Sequence, residues 1–160
     1  LTKSANDLSL MAVDRGLSLW ARSRDILQGT REPLPADCAG MMRTSTLGGI
    51  AIAQTGTSLP HALNYSVTYD MGLTHGKAVC LFLPGFLREA PEEERMRLLS
   101  LAGFGSLEHF RSFLGELLGD LKTNEDTLER SYRAVCENPA RLNGCRFPVD
   151  AESLRRMMAW

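Results

Sequence analysis

The sequence predicts an all-α protein, a multi-helix bundle, and three observations carry that prediction. Apolar residues recur at helical spacing in one segment after another. Clusters of Pro, Gly and Asn fall between those segments, where helices stop and start. No stretch sustains the period-two alternation of a half-buried strand.

The elements follow in order. Asn6 or Asp7 caps a long amphipathic helix in which Leu10, Val13, Leu17 and Trp20 share one face, running to about Leu27 and ended by Gln28-Gly29-Thr30. Pro33 and Pro35 mark a short loop, after which Ala36 or Asp37 opens a helix through Met41, Met42 and Leu47 to Ala53. Gly48-Gly49 lies within it without the GxGxxG or GxxxxGK[ST] context of a phosphate loop, so close packing of two helices is the expected reason for the pair.

Thr57 or Ser58 caps the next helix, with Pro60 in its first turn, where a missing N–H costs little, and His61 directly after. Met71-Gly72 ends that run, and Thr74 caps a further helix that starts at His75 and carries Val79, Leu81, Phe82 and Leu83. Beyond the Ala90-Pro91 break, Glu92-Glu93-Glu94 suits a helix N-terminus, and Met96, Leu98, Leu99 and Leu101 continue that helix. Ser106 then caps a helix whose stripe is Leu107, Phe110, Leu114, Leu117 and Leu121, with His109 one residue off it, at the surface or boundary. Thr123 or Asn124 begins another, with Leu128, Tyr132 and Val135 as its buried side, and Asn138-Pro139 ends it. After a loop from Leu142 to Pro148, Asp150 caps a terminal helix carrying Leu154, Met157 and Met158.

Composition narrows the function. The chain has 160 residues, 44% of them hydrophobic, enough for one globular helical domain over residues 1–160 with a sizeable core. With 18 basic and 19 acidic residues intermixed, no basic stripe tracks a phosphate backbone, which argues against nucleic acid as a partner. The longest apolar run, Ala78 to Phe86, is far short of the ~20 residues that cross a bilayer, and Pro84-Gly85 interrupts it, so no membrane segment is expected. Leu1-Thr2-Lys3-Ser4 lacks the pattern of a secretion signal, and Cys38, Cys80, Cys136 and Cys145 show no CxxC spacing; reduced thiols and a cytoplasmic location are expected. Cys80 reads as a small core residue.

Two of the three histidines, His61 and His75, fall near the heads of neighbouring antiparallel helices, with thirteen residues between them. Such imidazoles can approach a common point, and a neutral ring nitrogen binds Zn²⁺ or Fe²⁺ at ~2.0–2.1 Å. The spacing matches no zinc-finger or HExxH pattern, so from spacing alone half of a metal site and buried or capping histidines both stay open.

The flanking residues add a resemblance. Thr55-Gly56-Thr57, His61-Ala62-Leu63-Asn64-Tyr65, Gly72-Leu73-Thr74-His75-Gly76-Lys77-Ala78-Val79 and Leu83-Pro84 together resemble the metal-binding helices of the iron-containing (group III) alcohol dehydrogenases. Ser4-Ala5-Asn6-Asp7 looks like the segment after that family's first metal motif, and Asn143 to Leu154 is loosely similar to its closing segment. The resemblance implies the C-terminal helical domain of the dehydroquinate synthase-like fold, with His61 and His75 each supplying one ligand to Fe²⁺ or Zn²⁺. The other two ligands, an Asp-x-x-x-His on a helix, and the domain that binds NAD or NADP would lie upstream of Leu1.

The implied reaction is hydride transfer between a nicotinamide and a small alcohol or aldehyde, by a longer enzyme of which this chain alone is inactive. A homo-oligomer is a further expectation. Tyr65 stands where some members carry a second histidine; with Tyr69 it shares a helix with His61, at i+4 and i+8, and the pair either lines the substrate pocket or packs in the core. A zinc-dependent glycerol dehydrogenase or dehydroquinate synthase fits the HALNY sequence less well. The reading from a different class is a non-catalytic interaction module with structural histidines and a partner groove on its Met-rich helices.

Overall fold

The computed structural model describes residues 1–119 and 123–159. Among them the only extended pairing is an isolated bridge between Thr2 and Cys145, so the protein is all-α. The helices are α1 (Asp7–Trp20), α2 (Arg24–Leu27), α3 (Pro35–Thr55), α4 (Leu59–Met71), α5 (His75–Glu89), α6 (Glu92–Leu101), α7 (Leu107–Leu118), α8 (Glu125–Cys136), α9 (Pro139–Leu142) and α10 (Ala151–Met158). They form two compact units. One comprises Leu1–Lys3, Thr57–Arg95 and Leu118–Trp160; the other comprises Ser4–Gly56 and Met96–Leu117.

In the second unit α1 packs along α3. Asn6 caps α1 in a reciprocal box with Ser9: the Ser9 N–H donates to Asn6 Oδ1, and the Asn6 N–H donates to Ser9 Oγ. The helix expected to reach Leu27 breaks after Trp20 into a 3-10 turn (Ala21–Ser23) and α2. Tertiary packing overrides periodicity here: Trp20 stacks against Phe104 and Phe113, and the Arg24 guanidinium lies 4.3 Å from the Phe104 ring centre and donates to the Gly103 carbonyl. Helix α3 starts at Pro35 and extends to Thr55, longer than expected at both ends. Asp37, at its third position, accepts the Leu34 N–H at 2.8 Å and a two-pronged contact from Arg31.

Gly48 and Gly49 are exposed, and a Cβ on either would meet nothing within 4 Å, which corrects the expectation that they serve helix packing. The glycine facing a neighbouring helix is Gly16 of α1, whose added Cβ would lie 3.5 Å from the Leu47 side chain of α3. In α7 the stripe Leu107, Phe110, Leu114 and Leu117 runs as expected in sequence, with Phe110 and Leu114 buried and Leu117 exposed; Leu121 lies outside the described residues. The Ser106 hydroxyl accepts the His109 N–H and so caps α7. His109 is exposed, its ring edge-on to Phe104 and bonded to Arg24 at 3.2 Å.

The first unit is built on α4, which packs against α5 and α8, while α5 packs against α10. Leu59, Leu63, Val67, Phe82, Leu154 and Met157 lie at the centre of its core. Pro84-Gly85 interrupts the apolar run but not the helix: α5 passes through both, and both are buried. Gly85 makes room for α10, since a Cβ there would fall 1.8 Å from the Met157 carbonyl oxygen.

Arg88 donates to the Arg156 carbonyl, and Arg156 pairs with Glu89 at 2.7 Å, tying α10 down on the same side. The inner face of α8 is shifted from the expected one. Thr127, Ser131 and Val135 are buried, whereas Leu128 and Tyr132 are half-buried, with the Arg155 guanidinium 3.8 Å from the Tyr132 ring centre. Pro139 to Leu142 forms the short helix α9, an element the sequence pattern did not show, ahead of the loop expected over Leu142 to Pro148. All four cysteines are free; Cys145 is buried, and Cys80 is half-buried with its thiol pushed up by burial. Among the described residues no helix is long and apolar enough to cross a membrane.

Candidate metal centre

Two local devices bring His61 and His75 together. Ser58, in extended conformation, is the residue before α4; Pro60 occupies the second helical position, and the His61 N–H closes the first turn on the Ser58 carbonyl at 3.1 Å. At the far end Gly72 adopts the left-handed conformation (φ 64°) that a side-chain-bearing residue rarely takes, which ends α4 and turns the chain into α5. Thr74 then precedes His75, the first residue of α5. Ala62, Leu63, Ala78 and Leu81 are buried where these helices pack, so the histidines next to them are held at the helix heads.

The two imidazole rings lie with centroids 5.3 Å apart and planes inclined at 54°. Two imidazoles bound through nitrogen to one tetrahedral ion at ~2.1 Å hold their ring centres about 5 Å apart, so the spacing fits a shared divalent cation. Burial, and then the neighbouring His75 ring, hold His61 below the ordinary histidine range; its neutral, metal-binding form therefore prevails at pH 7. Among the described residues no group of three His, Cys, Asp or Glu side chains converges on one point, so this chain offers two donors there.

One contributor escaped the sequence reading. Asn64, fully buried one turn after His61, donates its side-chain amide to the His61 carbonyl and accepts the Thr68 hydroxyl at 2.9 Å. A buried amide must find partners, and here they lie in the turn that carries the histidine and in the turn after it. The signal was an amide at i+3 from a histidine inside an otherwise apolar helical face. Tyr65, one turn after His61, is 56% exposed, and Tyr69, a turn further, is 89% exposed. Neither is a core residue.

Residues 34–137 match the model of the Fe-containing alcohol dehydrogenase family, C-terminal. The chain belongs to this family. Solved structures of iron-containing alcohol dehydrogenases agree. An enzyme of that description from Thermotoga maritima is 26% identical with a TM-score of 0.80, and a second iron-containing alcohol dehydrogenase is 27% identical with a TM-score of 0.82. Each similarity covers 98% of this chain and 43% of the other, so the chain spans less than half the length of these alcohol dehydrogenases. No curated protein sequence matches. The matched segment contains α4 and α5 complete, and with them both histidines.

Proposed function

We propose that this chain is the metal- and substrate-side domain of an NAD(P)-dependent alcohol dehydrogenase or aldehyde reductase, with His61 and His75 as two ligands of an Fe²⁺ or Zn²⁺ ion. The observation that carries this reading is the pair of imidazoles at 5.3 Å on helix heads inside the family match. When bound, the divalent cation supplies Lewis-acid polarisation of a carbonyl oxygen and the nicotinamide supplies or takes the hydride.

This chain's own residues present and orient. His61 and His75 offer neutral nitrogens; Asn64 fixes the main chain at His61; Tyr65 and Tyr69 face outward from α4 toward an incoming alcohol or aldehyde. The remaining ligands and the nucleotide-binding domain belong to the rest of the enzyme, so the 160-residue chain alone turns over no aldehyde. The family match and the ring spacing favour this reading over a non-catalytic interaction module.

In the full-length protein, His75→Ala should abolish metal retention and turnover together. Wild-type metal content and activity in that variant would refute the assignment. NAD(P)H oxidation by the isolated chain with any aldehyde would overturn its inactivity.

A further inference from the structure

A cavity of about 320 Å³ opens in the first unit where α9 and the segment after it face the start of α4. Thr57, Ser58, Asn138, Arg141 and Cys145 are among the residues that line it. Its chemistry is one-sided. Arg141 is the charged group on its wall, no carboxylate lines it, and among the described residues Arg141 has no ion-pair partner. Most other arginines in this unit, such as Arg130 with Asp70 or Arg156 with Glu89, have an acid beside them, and Arg95 donates to the Arg88 carbonyl.

The Ser58 hydroxyl makes no capping bond to α4 and is free to donate. The Cys145 thiol is pushed up by burial, so it stays uncharged at neutral pH and brings no negative charge to the wall. A guanidinium with neighbouring hydroxyl and amide donors and no competing acid suits an oxyanion. The volume suits a small molecule. The cavity is also near the proposed metal centre, because Ser58 precedes His61 by one helical turn, a rise of about 4.5 Å.

We propose that this cavity is an oxyanion subsite, in which Arg141, with Ser58 and Thr57, holds the carboxylate- or phosphate-type end of a small carbonyl substrate whose reacting carbon lies toward His61 and His75. The assignment of the reacting end rests on the function proposed above; the anion site itself does not.

The test uses the full-length protein, Arg141→Met and Arg141→Lys, each checked for an unchanged circular dichroism spectrum. Inorganic phosphate and succinate are titrated calorimetrically. One or both should bind the wild type, at least tenfold more weakly to Arg141→Met, with Arg141→Lys between the two. No binding, or equal binding by wild type and Arg141→Met, as an anion on the metal alone would give, overturns the subsite.

Aldehydes of matched length ending in carboxylate, phosphate or hydroxymethyl are then compared. The wild type should prefer an anionic one by at least tenfold in kcat/KM, through KM, and Arg141→Met should bring that ratio near one. Which aldehyde wins tells carboxylate from phosphate. A preference that survives Arg141→Met, or a rise in the NAD(P)H KM instead, overturns the substrate assignment. Absence of any turnover by the wild type defeats the proposed dehydrogenase, while the titrations still decide the anion site.

Discussion

The side-chain amide of Asn64 donates to the main-chain carbonyl of His61, while its own oxygen accepts the Thr68 hydroxyl at 2.9 Å. This fully buried residue joins two turns of α4 and fixes the turn from which His61 projects. Asn64→Ala leaves the Thr68 hydroxyl without its acceptor and should cost about 1–3 kcal/mol in denaturant unfolding. The full-length variant should also hold its metal more weakly, read as a raised dissociation constant in a chelator competition. Unchanged stability and affinity would show that the bonds position nothing.

Gly85 lets the backbone of α10 at Met157 come against α5 more closely than any side chain at 85 would allow. A methyl group at 85 falls within 1.8 Å of the Met157 carbonyl oxygen, so α10 must move as a body. Gly85→Ala should therefore destabilise the protein by about 2–3 kcal/mol, roughly 5–10 °C in Tm, and expose the C-terminal helix to limited proteolysis. A Tm within 1 °C of wild type, to about the precision of a melting curve, would show that α10 is free to retreat.

Ser131 behaves in the opposite sense. Its hydroxyl is buried on α8 and has no hydrogen-bond partner among the described residues. Removing an unsatisfied buried polar group relieves its desolvation cost, so Ser131→Ala should be neutral or stabilising by up to about 1 kcal/mol in urea unfolding. A clear loss of stability would reveal a partner for the hydroxyl.

The histidine-bearing helices were legible because each carries its own start and stop: Pro60 in a first turn, Gly72 at a left-handed stop, Thr74 before His75. The caps Asn6, Asn124 and Asp150 were legible for the same reason, their side chains bonding N–H groups two or three residues on. What the pattern hid depended on distant residues. The break after Trp20 follows from Phe104 and Phe113, far along the chain. The inner face of α8 carries Thr127 and Ser131, which hydropathy assigns to solvent. Gly48-Gly49 looked like a packing device but faces open space, since periodicity cannot say which glycine meets a neighbour. Arg141 carried no motif at all, and only the fold sets it beside Ser58.

Acid should loosen the start of α3. Asp37 is held down at about 2, by the Arg31 hydrogen bond first and then by the Leu34 N–H, against 3.8 when unperturbed. A carboxyl whose folded value is depressed contributes stability that is complete above about pH 4 and is lost as pH falls from about 4 toward 2. Asp37→Asn should remove this part of the pH dependence, and an NMR titration of the wild-type carboxyl should find its midpoint near 2. A midpoint near 4 would show that the Arg31 contact is not formed in solution.

The central claim is that His61 and His75 share one cation. Anomalous diffraction at the iron or zinc absorption edge from crystals of the metal-loaded full-length protein tests it most directly. The account predicts one peak about 2.0–2.1 Å from a ring nitrogen of each histidine; a peak that contacts only one of them, or neither, would contradict it.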